Sequence, residues 1–139
     1  MRITRLSEYA IRAMLYLASV DKDQVVNIRD IALEWQIPDS FLRKIIPKLT
    51  KAGLIRSMRG SNGGIMIARP ADKITPLEVI ESVDGDIILN QCLVYPQTCN
   101  RAGNCATHLL WTEACRKLRE TLASKSLDQL VVQQPIERS

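Results

Sequence analysis

Four cysteines stand close together toward the end of this 139-residue chain, and their chemistry is the first clue to function. Cys92, Cys99, Cys105 and Cys115 fall within 24 residues, while the first 91 residues contain none. Two structural disulfides would suit a small secreted protein. The opening residues 1–9 mix charge with polarity and offer no apolar signal region, so a metal-binding or redox segment fits better.

The spacing of the first three cysteines favours an iron–sulfur cluster over zinc. Thiolates are soft ligands, and one loop can wrap three of them around a cluster. Zinc sites usually contain closely spaced Cys-x-x-Cys pairs, and none occurs here. A cysteine-only redox switch, or cysteines without any ligand, remains open as an alternative.

The charge is distributed as unevenly as the cysteines. The chain carries a net charge of +4, yet residues 1–73 carry a net +6 and residues 74–139 a net −2. Seven basic residues and no acid lie between Ser40 and Ala71. Such a block is either a solvated face or a surface that binds phosphates.

Composition limits the protein class. A mass of 15.7 kDa predicts one compact domain, or one small domain with an appendage. With 46% hydrophobic and 24% charged residues the chain is globular, and its longest apolar run, Ala13 to Val20, is too short for a membrane span. We therefore expect a cytoplasmic protein.

The elements that must position these residues follow from apolar spacing and capping residues. Residues 4–20 carry a helical stripe, Asn27 can cap a helix to about Trp35, and Asp39 or Ser40 can cap a third to about Ala52. Two short strands, 54–59 and 65–69, flank a glycine-rich tip that we expect to be flexible. Three more elements are predicted beyond them: a helix capped by Thr75 and ending near Val83, a helix over 107–123, and a short turn after Ser126.

Three helices followed by a hairpin are the element order of a winged helix-turn-helix. The third helix carries Arg43, Lys44, Lys48 and Lys51 on its outer side and can lie in a major groove. The hairpin carries Arg56 and Arg59, and an arginine there suits a narrow minor groove. Together these features predict DNA binding. No combination of base and nucleophile indicates an enzyme.

The chain resembles the Rrf-type winged-helix regulators, the family of the iron–sulfur cluster regulator IscR and the nitric-oxide sensor NsrR. The resemblance spans residues 1 to about 123. It is carried by the opening Met-Arg-Ile-Thr, the block Lys51-Ala52-Gly53-Leu54-Ile55, the wing Arg59-Gly60 leading to Gly63-Gly64, and the cysteine loop. It implies a homodimer formed through the long C-terminal helix, which binds an imperfect palindrome and usually represses transcription.

The resemblance also implies which residues contact DNA. They are Ser40, Phe41, Arg43, Lys44, Arg59, Ser61 and Asn62. Positions 43 and 44 differ from the Glu-Gln pair of the iron–sulfur cluster regulator, so that regulator's operator sequence does not carry over. Arginine or lysine at these positions favours guanine.

The resemblance implies that Cys92, Cys99 and Cys105 bind a two-iron or four-iron cluster. The fourth ligand is His108, the only histidine, or Glu8 from the partner subunit. A bystander role remains open for either residue. We interpret Cys115 as a small buried residue of the dimer stripe that runs from Trp111 to Leu122.

These inferences divide the chain into four parts: a winged helix-turn-helix over 1–85, a cluster-binding loop over 86–106, a dimerisation helix with a short terminal helix over 107–132, and a frayed tail over 133–139. We expect a cluster-dependent regulator that senses redox state, nitric oxide or iron status. The alternatives are a cofactor-free dimeric repressor, controlled by a partner protein or by cysteine oxidation, and an iron–sulfur electron carrier.

Overall fold

The computed structural model of the chain describes residues 3–61, 63–87 and 106–133. The elements are α1 (Arg5–Ser19), α2 (Ile28–Trp35), α3 (Asp39–Lys51), β1 (Ile55–Met58), β2 (Gly64–Ile67), a 3₁₀ turn (Ala71–Lys73), α4 (Pro76–Asp84), α5 (Ala106–Leu122) and α6 (Leu127–Gln133). This mainly helical fold with one antiparallel hairpin confirms the predicted fold class. Within these ranges, none of the helices has the length and apolarity needed to cross a membrane.

Most helix boundaries lie where the capping residues predict them. The side chain of Asn27 accepts a hydrogen bond from the Arg29 amide at 2.8 Å, and that of Thr75 caps α4. The start of α3 differs, because Pro38 precedes the helix and no side chain caps it. Asp39 therefore lies in the first turn instead of at the cap, where its charge still opposes the positive end of the helix dipole.

The hairpin is joined to the core by a third segment that sequence analysis missed. Ile55 pairs with Ile67 and Met58 with Gly64 in the β1–β2 register. In addition, Val26 and Ile65 exchange two backbone hydrogen bonds of 2.8 and 2.9 Å. A single bridging residue has no periodicity of its own, so the sequence carries no signal for it.

The last helix is longer and better anchored than the predicted short turn. Leu127, at the start of α6, is completely buried, and its amide donates to the Ile74 carbonyl at 2.9 Å. Through this contact α6 packs on α1 and on the 3₁₀ turn, so its apolar face belongs to the same core as the first three helices.

Among the described residues, helix α5 contacts α4 and the residues that follow it. Arg119 forms an ion pair with Glu81 of α4, and the buried Cys115 lies with its Sγ 3.1 Å from the Ile87 carbonyl. In the predicted dimer stripe Cys115 is buried, and Leu118 and Leu122 in the following turns are half-buried. Trp111 is exposed, as are the neighbouring Leu109 and Leu110. The first two turns of α5 thus present an apolar surface to solvent in the single chain.

Candidate nucleic-acid interface and metal-binding residues

The third helix exposes one basic face because its other face is part of the core. Leu42, Ile45 and Leu49 are buried, and the 3.6-residue period turns Arg43 and Lys44 outward. Ser40 is exposed on the same first turn. This is the geometry that a helix needs to enter a major groove with its N-terminal residues facing the bases.

Two basic residues of α3 have partners within the protein. The Nε of Arg43 lies 2.8 Å from a carboxylate oxygen of Asp39, one turn earlier, and both side chains are exposed. Lys48 donates to the Val83 carbonyl at 3.0 Å and so braces the last turn of α4. Lys48 therefore supports the position of α3, in addition to contributing charge to its surface.

Phe41 packs within the protein. Its ring lies edge-on to Tyr9 of α1, with 4.9 Å between centroids, and the side chain is half-buried. The Arg12 guanidinium lies 5.4 Å from the Tyr9 ring on the same helix and pairs with Glu8 at 3.1 Å. A series of contacts thus joins Glu8 to the first turn of α3.

The wing exposes basic residues along β1 and directly after it. Arg56, Arg59 and Ser61 are exposed, and Gly60 has φ +111°, a backbone conformation that side chains rarely adopt. Asn62, the remaining predicted contact, lies outside the described residues. Arg59 is therefore held at a turn from which it can reach a DNA backbone or minor groove.

A groove of about 500 Å³ separates the wing from the first turns of α2 and α3. Arg29 lines it from α2, Asp39 from α3, and Ser57, Met58 and Arg59 from the wing. Sequence analysis missed Arg29 as a candidate contact. Its position as a basic residue in the first turn of α2, two residues after the Asn27 cap, was the available signal.

The predicted metal ligands are only partly described. Cys92, Cys99 and Cys105 lie outside the described residues. His108 is half-buried in the first turn of α5, and Glu8 is exposed on α1. Within residues 3–61, 63–87 and 106–133, the structure brings no three His, Cys, Asp or Glu side chains together as a metal site.

Comparison with known proteins agrees with the winged-helix geometry. The profile of the Rrf2 family, described as iron-dependent transcriptional regulators, matches residues 3–133. The transcriptional regulator IscR of Xenorhabdus nematophila is 34% identical over 98% of this chain and 82% of its own length.

Solved structures of regulators have the same fold. The oxidized form of CymR from Staphylococcus aureus aligns with a TM-score of 0.75 and 25% identity, over 99% of this chain and all of that one. IscR of T. potens aligns with a TM-score of 0.76 and 24% identity, over 100% and 93% of the two chains. The family model and the Xenorhabdus nematophila relative are both named as transcriptional regulators, which confirms the prediction of a non-enzymatic protein. The chain belongs to the Rrf2 family of transcriptional regulators.

Proposed function

We propose that this regulator binds a palindromic operator as a homodimer, usually to repress transcription, and that an iron–sulfur cluster controls its affinity. The observation that carries the DNA-binding part is the arrangement of two basic surfaces. Arg43 and Lys44 project from the first turns of α3, and Arg59 projects from the wing across the intervening groove. A recognition helix and a wing so placed can contact adjacent major and minor grooves. Chromosomal DNA as the ligand implies action in the cytoplasm.

The cluster would be held by Cys92, Cys99 and Cys105, with His108 or the Glu8 of a partner subunit completing the set. The donor chemistry fits, because thiolates and an imidazole or carboxylate can all coordinate iron. When bound, the group would supply redox sensitivity or reactivity toward nitric oxide. The cluster would be of the two-iron or the four-iron type.

This chain's own residues offer a route by which the cysteine segment could act on the recognition helix. Residues 83–87 precede that segment, and the Val83 carbonyl accepts from Lys48 of α3. Asp84 accepts from Thr4, which caps α1, at 2.6 Å and from Ser7 of α1 at 2.5 Å. A shift of this short stretch would therefore change contacts with both helices, and so could pass a change in the cysteine segment on to α3.

The dimer would form through α5. Its exposed residues Leu109, Leu110 and Trp111 form an apolar surface at the start of the helix. Burial of such a surface against a second copy is favourable, and a two-fold dimer matches a two-fold operator.

Substitution of Arg59 tests the DNA-binding part. Arg59→Ala removes a groove contact and should weaken operator binding by about 1–3 kcal/mol, measured by competition at fixed salt. Arg43→Ala should chiefly relax sequence preference. Lys73→Ala, an exposed base in the 3₁₀ turn that does not line the groove, is the control. Equal affinities of the Arg59→Ala and control proteins would refute the wing assignment.

The cofactor part is tested by colour and iron content after purification without oxygen. The protein should be brown, and Cys92→Ala, Cys99→Ala or Cys105→Ala should each remove the colour because a strong anionic ligand is lost. Cys115→Ala is the matched control and should stay coloured. His108→Ala and Glu8→Ala identify the fourth ligand by which of them shifts the spectrum or accelerates loss in air. A colourless, iron-free protein after reconstitution would refute cluster dependence.

A second candidate is a regulator controlled by cysteine oxidation without a cluster. The similarity to the oxidized form of CymR favours it. In that case the iron-free protein should bind its operator, and hydrogen peroxide should change the affinity of the wild type. A Cys92→Ser, Cys99→Ser, Cys105→Ser triple variant should be insensitive to peroxide. An unchanged response in the triple variant would exclude these three thiols as the sensor.

A further inference from the structure

Asp39 has an unusual position for an acid on a surface expected to face DNA. It lies in the first turn of α3, directly before the 40–71 stretch that contains no acid, and it lines the groove opposite the wing arginine Arg59. A carboxylate beside phosphates lowers affinity for any DNA, because like charges repel. The presence of an acid that weakens binding to all DNA is accounted for if this acid improves discrimination between DNA sequences.

Asp39 forms an ion pair with a single atom of the Arg43 guanidinium. Its carboxylate lies 2.8 Å from the Nε of Arg43, one helical turn away, and the Arg43 side chain is 82% exposed. A guanidinium has five N–H donors in a planar fork. A carboxylate beside Nε restricts where the guanidinium can lie, and it leaves the edge formed by the two terminal amino groups outside this contact.

The terminal amino groups are the donors that can pair end-on with the O6 and N7 of guanine. An exposed arginine loses rotamer freedom when it adopts this geometry, and that loss lowers the discrimination it can provide. A partner that already restricts the side chain reduces the loss. In solution an exposed ion pair of this kind contributes little to stability, so its use would lie in the complex.

We propose that Asp39 is a specificity-determining residue, which orients the Arg43 guanidinium for bidentate recognition of guanine. Its charge lowers the affinity for DNA of any sequence, and its contact with Arg43 raises the discrimination between sequences. This inference rests on the proposed operator binding, and it adds a role for an acid that does not itself contact the base. Asp39 is a positioning residue that acts through Arg43.

The test uses the full-length protein, purified without oxygen, and DNA duplexes that the wild type selects from a random pool. Affinity is measured for the selected duplex, for duplexes with each G·C pair replaced by A·T, and for an unrelated duplex. The variants are Asp39→Ala, Asp39→Asn, Arg43→Ala and the Asp39→Ala, Arg43→Ala pair. Asp30→Ala is the control, since Asp30 is an exposed acid in the first turn of α2 that does not line the groove.

Asp39→Ala should bind the unrelated duplex as tightly as the wild type or more tightly, while discrimination at one G·C pair falls roughly two- to tenfold. Asp39→Asn removes the charge but keeps an oxygen that can accept from Nε, so its discrimination should fall less. In the Arg43→Ala background, Asp39→Ala should leave discrimination unchanged, because the two residues act as one unit. Asp30→Ala should retain wild-type discrimination.

Two results would overturn the proposal while leaving DNA binding intact. Unchanged discrimination in Asp39→Ala would show that Arg43 needs no partner. A loss that is additive with Arg43→Ala would indicate that Asp39 contacts a base directly, for example the amino group of cytosine. Failure of the wild type to select any sequence would instead refute the proposed function. Thermal unfolding of each variant identifies any effect on folding.

Discussion

Gly64 occupies a position where the backbone leaves no room for a side chain, and substitution there tests how the wing is attached. A Cβ at Gly64 would lie 2.1 Å from the Val26 carbonyl oxygen, which is about 1 Å closer than carbon–oxygen contacts allow. The obstacle is main chain, so no side-chain rotation can relieve it. Gly64→Ala must therefore separate the two segments or retain the strain.

Either outcome has a similar energetic cost. Separation of the segments breaks the two Val26–Ile65 hydrogen bonds, each of which contributes about 0.5–1.5 kcal/mol, and retention of the strain costs about 1–3 kcal/mol. We expect Gly64→Ala to lower the free energy of unfolding by about 1–3 kcal/mol. In urea the midpoint should fall by roughly 1 M.

The measurement is urea unfolding at one fixed protein concentration, because dimer formation would make stability depend on concentration. Ser57→Ala, an exposed residue of the same hairpin, is the control and should change stability by no more than about 0.5 kcal/mol. Operator binding should weaken in Gly64→Ala, since the wing that carries Arg59 is displaced. A Gly64→Ala protein as stable as the Ser57→Ala protein would refute the close approach of Val26 and the hairpin.

Two further substitutions probe how the C-terminal helices are attached to the core. Leu127→Ala should lower the free energy of unfolding by about 2–5 kcal/mol, because it leaves a cavity beneath α6. Val132 is 78% exposed on the same helix, so Val132→Ala should have little effect. Comparable losses of stability in the two variants, measured by urea unfolding, would contradict the packing of α6 on the core. Asp84→Ala leaves the buried Ser7 hydroxyl without its acceptor and should cost about 1–3 kcal/mol in thermal unfolding. Asp86 is an exposed neighbour, and Asp86→Ala should leave the thermal stability unchanged. Equal stability of the two variants would exclude a structural role for Asp84.

Local structure could be predicted well from the sequence because its signals are local. Asn27 and Thr75 cap the helices that follow them, and Gly53 ends α3 with φ +77°, as their residue types indicate. The two short runs that flank the glycine-rich tip also indicate both strands of the wing. The length of α6 was underestimated, because seven residues are too few for a clear helical period without the tertiary contact that Leu127 makes.

Contacts between distant residues could not be predicted in this way. The bond between Ser7 and Asp84 spans 77 residues, and that between Lys48 and Val83 spans 35. Periodicity shows which face of a helix is buried, but it does not show which element covers that face. Phe41 illustrates the limit, since its position on α3 is consistent both with a DNA contact and with the packing against Tyr9 that the structure has.

The glycines of the wing are required for two different physical reasons. We predicted a flexible tip from residue 60 to 64, and Gly60, with its positive φ, fits a turn that only glycine adopts easily. Gly64 is different, because it is the first residue of β2 and lies against Val26. The absence of a side chain there permits close backbone packing, and the resulting bridge fixes the hairpin to the segment just before α2. This bridge therefore sets the position of the base of the wing relative to α2, so that Arg59 and Arg29 line the same groove.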